Sequence, residues 1–154
     1  MSFKDFAKYF SEKSKDKDLV QRMVEMLRVE LGKGMKGFLD EEDLKDRIRD
    51  ICLSFDSTLL RDQIIQVYMG AFNVDFILLR GALAMEVKLV RDREELEQAV
   101  TEIISHIPAF SSIYSNVLFL IYDVDDVIEN PDEFKNSIES KSDNVMVLVI
   151  KKSG

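Results

Sequence analysis

Phe3, Phe6, Ala7 and Phe10 recur at helical spacing and predict a short amphipathic helix at the start of the chain. The stretch "SEKSKDKD" (11–18) reads as a charged connector. Val20, Met23, Val24, Leu27 and Leu31 then form one face of a second helix, expected to stop at "GKGMKG", where Gly32, Gly34 and Gly37 break the pattern. A third helix opens at Asp40, an N-cap residue followed by acids in the first turn. Its stripe is Leu44, Ile48, Ile51 and Phe55. Extended back by one turn, the stripe reaches Glu41, so that carboxylate points along the buried side while Glu42 and Asp43 face water. From residue 58 the period shortens: 58–69, 73–79 and 82–90 read as strands. A helix follows over 93–107, with Leu96, Val100, Ile103 and Ile107 on one side. "NVLFLIYD" (116–123) and "NVMVLVIKK" (144–152) are apolar runs of the kind buried on both faces, separated by a short helix beginning at Pro131. This order predicts an α/β fold, a mixed sheet with helices on both faces.

One hairpin breaks the apolar pattern with charge. In "VDFILLRGALAMEVKLV" (74–90) Arg80-Gly81 reads as a two-residue loop, because such turns need positive φ and Gly supplies it. Leu79 then pairs with Ala82, and paired positions sum to 161. That register places Asp75 across from Glu86 on one face, with Lys88 beside them and opposite Asn73. Facing carboxylates repel, and burial makes the repulsion worse. A divalent cation between them reverses the sign, since Mg²⁺ takes one or two carboxylates together with water and phosphate. A solvent-facing edge hairpin would carry the same residues with no site, and Glu-x-Lys recurs at Glu133/Lys135 and Glu139/Lys141. Spacing alone leaves both readings open.

The 154 residues fit one core, in which about two-thirds of the unfolded surface is buried. No apolar run approaches the roughly 20 residues that a bilayer requires, and no secretory segment opens the chain, so no membrane partner is expected. A lone cysteine, Cys52, excludes an intrachain disulfide and makes a reducing cytoplasm the default location. The net charge of −8 is uneven. Residues 1–39 hold nine Lys/Arg and six Asp/Glu, and the remaining 115 hold twelve and twenty-three. A polyanion bound by the second part therefore needs local cations or a metal ion.

With its hairpin in place, the chain resembles the PD-(D/E)XK nuclease superfamily of restriction-endonuclease-like proteins. Asp75 matches the acid on the first strand, and Glu86-Val87-Lys88 matches (D/E)-x-K on the second. "YDVDDVIENP" (122–131) and Gln98 are similar to a small nuclease-domain branch found in bacteria and archaea. The likeness covers about residues 40–152, which divides the chain into an N-terminal helical extension (1–39) and a nuclease-like domain (40–154). Val74 stands where the motif has Pro, and Val124 where the branch has Pro after Tyr-Asp. The resemblance implies metal-dependent hydrolysis of phosphodiesters, with DNA as the expected substrate. In it, Asp75, Glu86 and the Val87 carbonyl hold Mg²⁺ or Mn²⁺, and Lys88 orients water or stabilises the phosphate. Glu41 completes a metal shell or a second site, and Gln98 holds a phosphate or a water.

A nuclease-like fold used only for binding or assembly is the alternative, motivated by the acidic surface and the lack of a basic stripe. The Phe-bearing N-terminal helices could build a homodimer in either case, or simply cover an edge of the sheet. His106, the one histidine, reads as a helix-end capping or surface residue, although its spacing of eight from Gln98 brings it near the same face. Asp123, Asp125 and Asp126 read as loop acids that solvate their loop and cap the segment after it, Cys52 as packing, and Met23, Met26 and Met85 as core filler.

Overall fold

Helix α1 runs without a break from Phe3 to Leu31, so the connector expected at 11–18 is helix. Its Glu and Lys residues are good helix formers, and no Gly or Pro falls between residues 3 and 31. The computed structural model describes the backbone of residues 3–33, 38 and 40–152, with side chains from residue 17 onward within that span. The side chains of Phe3, Phe6, Ala7 and Phe10 lie outside the described residues, as do Gly34 and Gly37. Val20, Met23, Leu27 and Leu31 are buried as expected, against the stripe of α2 (Glu41–Leu53). The Asp40 side chain caps α2 by accepting from the Asp43 N–H at 2.8 Å.

Five strands follow: β1 (Leu60–Val67), β2 (Gly70–Leu78), β3 (Leu83–Val90), β4 (Asn116–Asp123) and β5 (Val145–Lys151). They lie in that order across one sheet. β1, β2 and β3 pair antiparallel, whereas β3, β4 and β5 pair parallel. The parallel connections carry α3 (Arg93–Ile113) and α4 (Pro131–Glu139). α1 and α2 cover one face, packing on Phe76, Leu83, Met85, Leu118 and Leu148. α3 and α4 cover the other, over Ala84, Phe119, Ile121 and Val147. The α/β class and the helices on both faces are thus as the sequence predicts.

Two details differ from expectation. α3 does not end near residue 107 but continues through Pro108 to Ile113. Pro108 cannot donate to the Ile104 carbonyl, but Ile104 is on the exposed side, where water can serve it. Beyond the proline, Ala109 and Phe110 are fully buried and carry the helix onward. His106 is therefore inside the helix and not at its end.

The hairpin loop is also longer than predicted. β2 and β3 pair as Leu78↔Leu83, Ile77↔Ala84 and Phe76↔Met85, keeping the sum of 161. Leu79 and Ala82 do not pair, however; residues 79–82 form a tight turn closed by the Ala82 N–H on the Leu79 carbonyl at 3.1 Å. Leu79 and Arg80 both adopt positive φ, 53° and 55°. That is costly for Leu, and the buried Asp56 holds the turn in place, accepting from the Leu79 N–H at 2.6 Å and from Thr58.

Cys52 is fully buried on α2, as its packing role requires, and burial, aided by the nearby Asp56 charge, pushes its thiol up to about 12. At pH 8 the native chain should react with an aromatic disulfide reagent at least ~100-fold more slowly than the denaturant-unfolded chain. Equal rates, followed by absorbance, would show that α2 does not cover the thiol.

Candidate active site

After Phe76↔Met85 the β2–β3 ladder stops, one pair short of Asp75 and Glu86. Side chains fill the places that β2 vacates along the edge of β3. The Val87 N–H donates to Asp75 Oδ2 at 2.8 Å, and the Leu89 N–H donates to Glu41 Oε1 at 3.1 Å. In a strand the N–H and C=O of one residue point the same way, so the Val87 carbonyl opens onto the gap that Asp75 occupies.

Asp75 and Glu86 do not share one face, which corrects the arrangement predicted from the hairpin register. Phe72 and Val74 pack on the α3–α4 side, whereas Phe76 and Leu78 pack on the α1–α2 side. The alternation of β2 therefore breaks at Asp75. Its counterpart across the β1–β2 ladder, Asp62, sits at φ 55°, a left-handed conformation that Asp tolerates. The consequence is that Asp75 reaches towards α2 while Glu86 reaches towards α3.

On the α2 side, Lys45 Nζ lies 3.1 Å from Asp75 Oδ1, with both side chains about one-tenth exposed. Lys45 follows Glu41 by four residues and so shares the inner face of α2. Burial pulls the Lys45 ammonium down, but the charges of Asp75, Glu41 and Glu42 outweigh it, and the pKa is raised. Glu41 is raised as well, chiefly by burial, against the Leu89 N–H and the charges of Lys88 and Lys45.

On the α3 side, Gln98, Glu102 and His106 make an i, i+4, i+8 stripe facing β3. Lys88 Nζ donates to Glu102, which Gln98 also hydrogen-bonds. His106 Nδ1 lies 2.7 Å from Glu86 Oε1. Burial pulls the Lys88 pKa down, but the Glu102 bond and the charges of Glu86 and Glu41 outweigh it, and the pKa is raised. His106 is raised, first by its bond to Glu86. Glu41, Lys88, Arg91, Glu95, Gln98 and Glu102 line a cavity of about 310 Å³. Asp75 and Glu86 do not line this cavity, but Lys45 interacts with both Asp75 and Glu41, and Lys88 with both Glu86 and Glu41.

Among the described residues no three His, Cys, Asp or Glu side chains form a ready-made metal cage. Mg²⁺ does not require one, since water and phosphate complete its shell. One donor here suits a hard cation: Glu86 Oε2 is buried and has no hydrogen-bond partner. Asp123, in contrast, is structural. Its two oxygens accept from the Val127 and Ile128 N–H groups at 2.9 Å each, and Lys151 stands 3.2 Å away. Two residues of this cluster, Lys45 and Glu102, escape the sequence reading. The signal for each is its spacing of four, from Glu41 and from Gln98.

A family model described as REase_DpnII-MboI matches residues 40–153. No curated protein and no solved structure matches the chain.

Replacing Lys45 leaves a buried carboxylate without its cation. Lys45→Met should cost about 3–5 kcal/mol in denaturant unfolding, and Asp75→Asn on that background should restore part of it. A loss below ~1 kcal/mol would show that Asp75 finds its counter-charge elsewhere.

Proposed function

Since the chain belongs to the DpnII-MboI restriction endonuclease family, we propose that it hydrolyses DNA phosphodiester bonds with Mg²⁺ or Mn²⁺ held where β2 parts from β3, between Glu86 and the Asp75 carboxylate that sits on the adjacent Val87 N–H. The observation that carries this reading is the bare, buried Oε2 of Glu86 beside Lys88. A bound divalent ion supplies positive charge at the scissile phosphate and acidifies water. The chain's own residues do the rest. Asp75, Glu86 and the Val87 carbonyl offer the oxygen donors, and Glu41 adds a further carboxylate from α2. Lys88, whose pKa is raised by the Glu102 bond and the charges of Glu86 and Glu41, serves in this reading as a donor to water or to the phosphoryl oxygens. Gln98, on the cavity wall, offers an amide N–H to a phosphate oxygen or a water. In the same reading residues 40–154 are the nuclease unit, and residues 1–39 are a helical extension that covers one face of it through Val20, Met23, Leu27 and Leu31.

A binding or assembly role without catalysis draws on one observation. The ammonium of Lys45 lies 3.1 Å from Asp75, and His106 already occupies one oxygen of Glu86. That reading requires that calorimetry detect no Mn²⁺ binding.

Asp75→Ala, Glu86→Ala and Lys88→Ala should each slow Mg²⁺- or Mn²⁺-dependent cleavage of duplex DNA by ~10²–10³-fold or more, with the fold intact by circular dichroism. Cleavage by the triple variant at the wild-type rate would overturn the proposal.

A further inference from the structure

Two of the buried carboxylates, Asp123 and Glu86, are treated differently by the fold. Asp123 has both oxygens bonded to backbone N–H groups, which is how a structural acid is satisfied. Glu86 has one oxygen held and the other left bare. Its side chain is only 5% exposed, so bulk water does not complete it. The backbone offers nothing either, because the neighbouring N–H groups of β3 are committed to the flanking strands, to Asp75 or to Glu41.

The group that holds Oε1 is itself held. The His106 ring meets Phe72 edge-on at 5.5 Å between centroids and Phe110 at 5.2 Å. Neither phenyl ring can compete for its nitrogens. A carboxylate accepts only, so Nδ1 donates to Oε1, and fixing one oxygen of a planar group fixes the direction of the other. We propose that His106 is a positioning residue for the cation site, clamping Oε1 so that Oε2 of Glu86 is presented as the ligand. This rests on the reading of Glu86 as a metal-binding residue. In such an arrangement the outer partner makes no contact with the ion, yet its loss weakens affinity because the ligand is no longer pre-aimed.

Leu and Asn are nearly isosteric, but only Asn carries a donor near the Nδ1 position. Mn²⁺ should be titrated calorimetrically into the full-length wild type, His106→Asn and His106→Leu, without DNA. Wild type should bind, Asn should stay within about threefold, and Leu should weaken binding at least ~10-fold, all three with a cooperative unfolding transition. His106→Phe keeps a ring between Phe72 and Phe110 without the donor, and replaces Leu should that variant not fold. Donor-less variants that bind as tightly as wild type overturn the positioning role and leave the metal site standing. Asn as weak as Leu overturns the hydrogen-bond account equally. Absence of Mn²⁺ binding by wild type removes the metal reading itself, and this inference with it.

Discussion

Buried backbone N–H groups must find acceptors, and β3 loses its antiparallel partner after Met85. The Val87 and Leu89 N–H groups point into the space that β2 has left. Each would cost about 1–3 kcal/mol if orphaned. Asp75 and Glu41 close that gap with carboxylates, one from the departing strand and one from α2. An acidic cluster at this point is thus not added to an otherwise complete sheet. It is how the sheet ends its ladder, and a carboxylate set there for a backbone reason is also rigid enough to act on a ligand.

The partners are arranged to match. Lys45 answers Asp75, Lys88 answers Glu102, and the His106 ring hydrogen-bonds Glu86. Glu41, which accepts the Leu89 N–H, adds a carboxylate to these three pairs. In a stretch of chain that carries twelve basic and twenty-three acidic residues, the balance at the site stays on the acidic side. An added divalent ion would be favoured by that balance, and it would also soften the repulsion felt by an approaching polyanion.

Much of this is legible in the sequence, for identifiable reasons. The register of β2 on β3 follows from the sequence although the turn does not, because two-residue and four-residue loops centred on the same point give the same pairing. The turn itself depends on Asp56, far enough back that no local pattern connects it to Leu79. The break in alternation at Asp75 stays hidden because period-2 reasoning assumes an unbroken pleat, and Asp62 and Asp75 interrupt it together. The unbroken α1 is obscured by its charge, which resembles a linker, although residues 11–18 contain no helix breaker. His106 looks like a helix-end residue because Pro108 looks terminal. Only the burial of Ala109 and Phe110, a tertiary fact, moves it to the middle of α3.

The left-handed Asp62 has a consequence beyond the site. β1 is an outer strand of the sheet, and Leu60 and Ile64 are exposed along it. A straight outer strand with such residues would offer a regular row of donors and acceptors to another chain. Asp62 interrupts that row with a kink and a charge, and next to it Arg61 is tied back to Asp46 and Glu42 on α2. The same irregularity that turns Asp75 towards α2 thus makes this edge a poor template for aggregation.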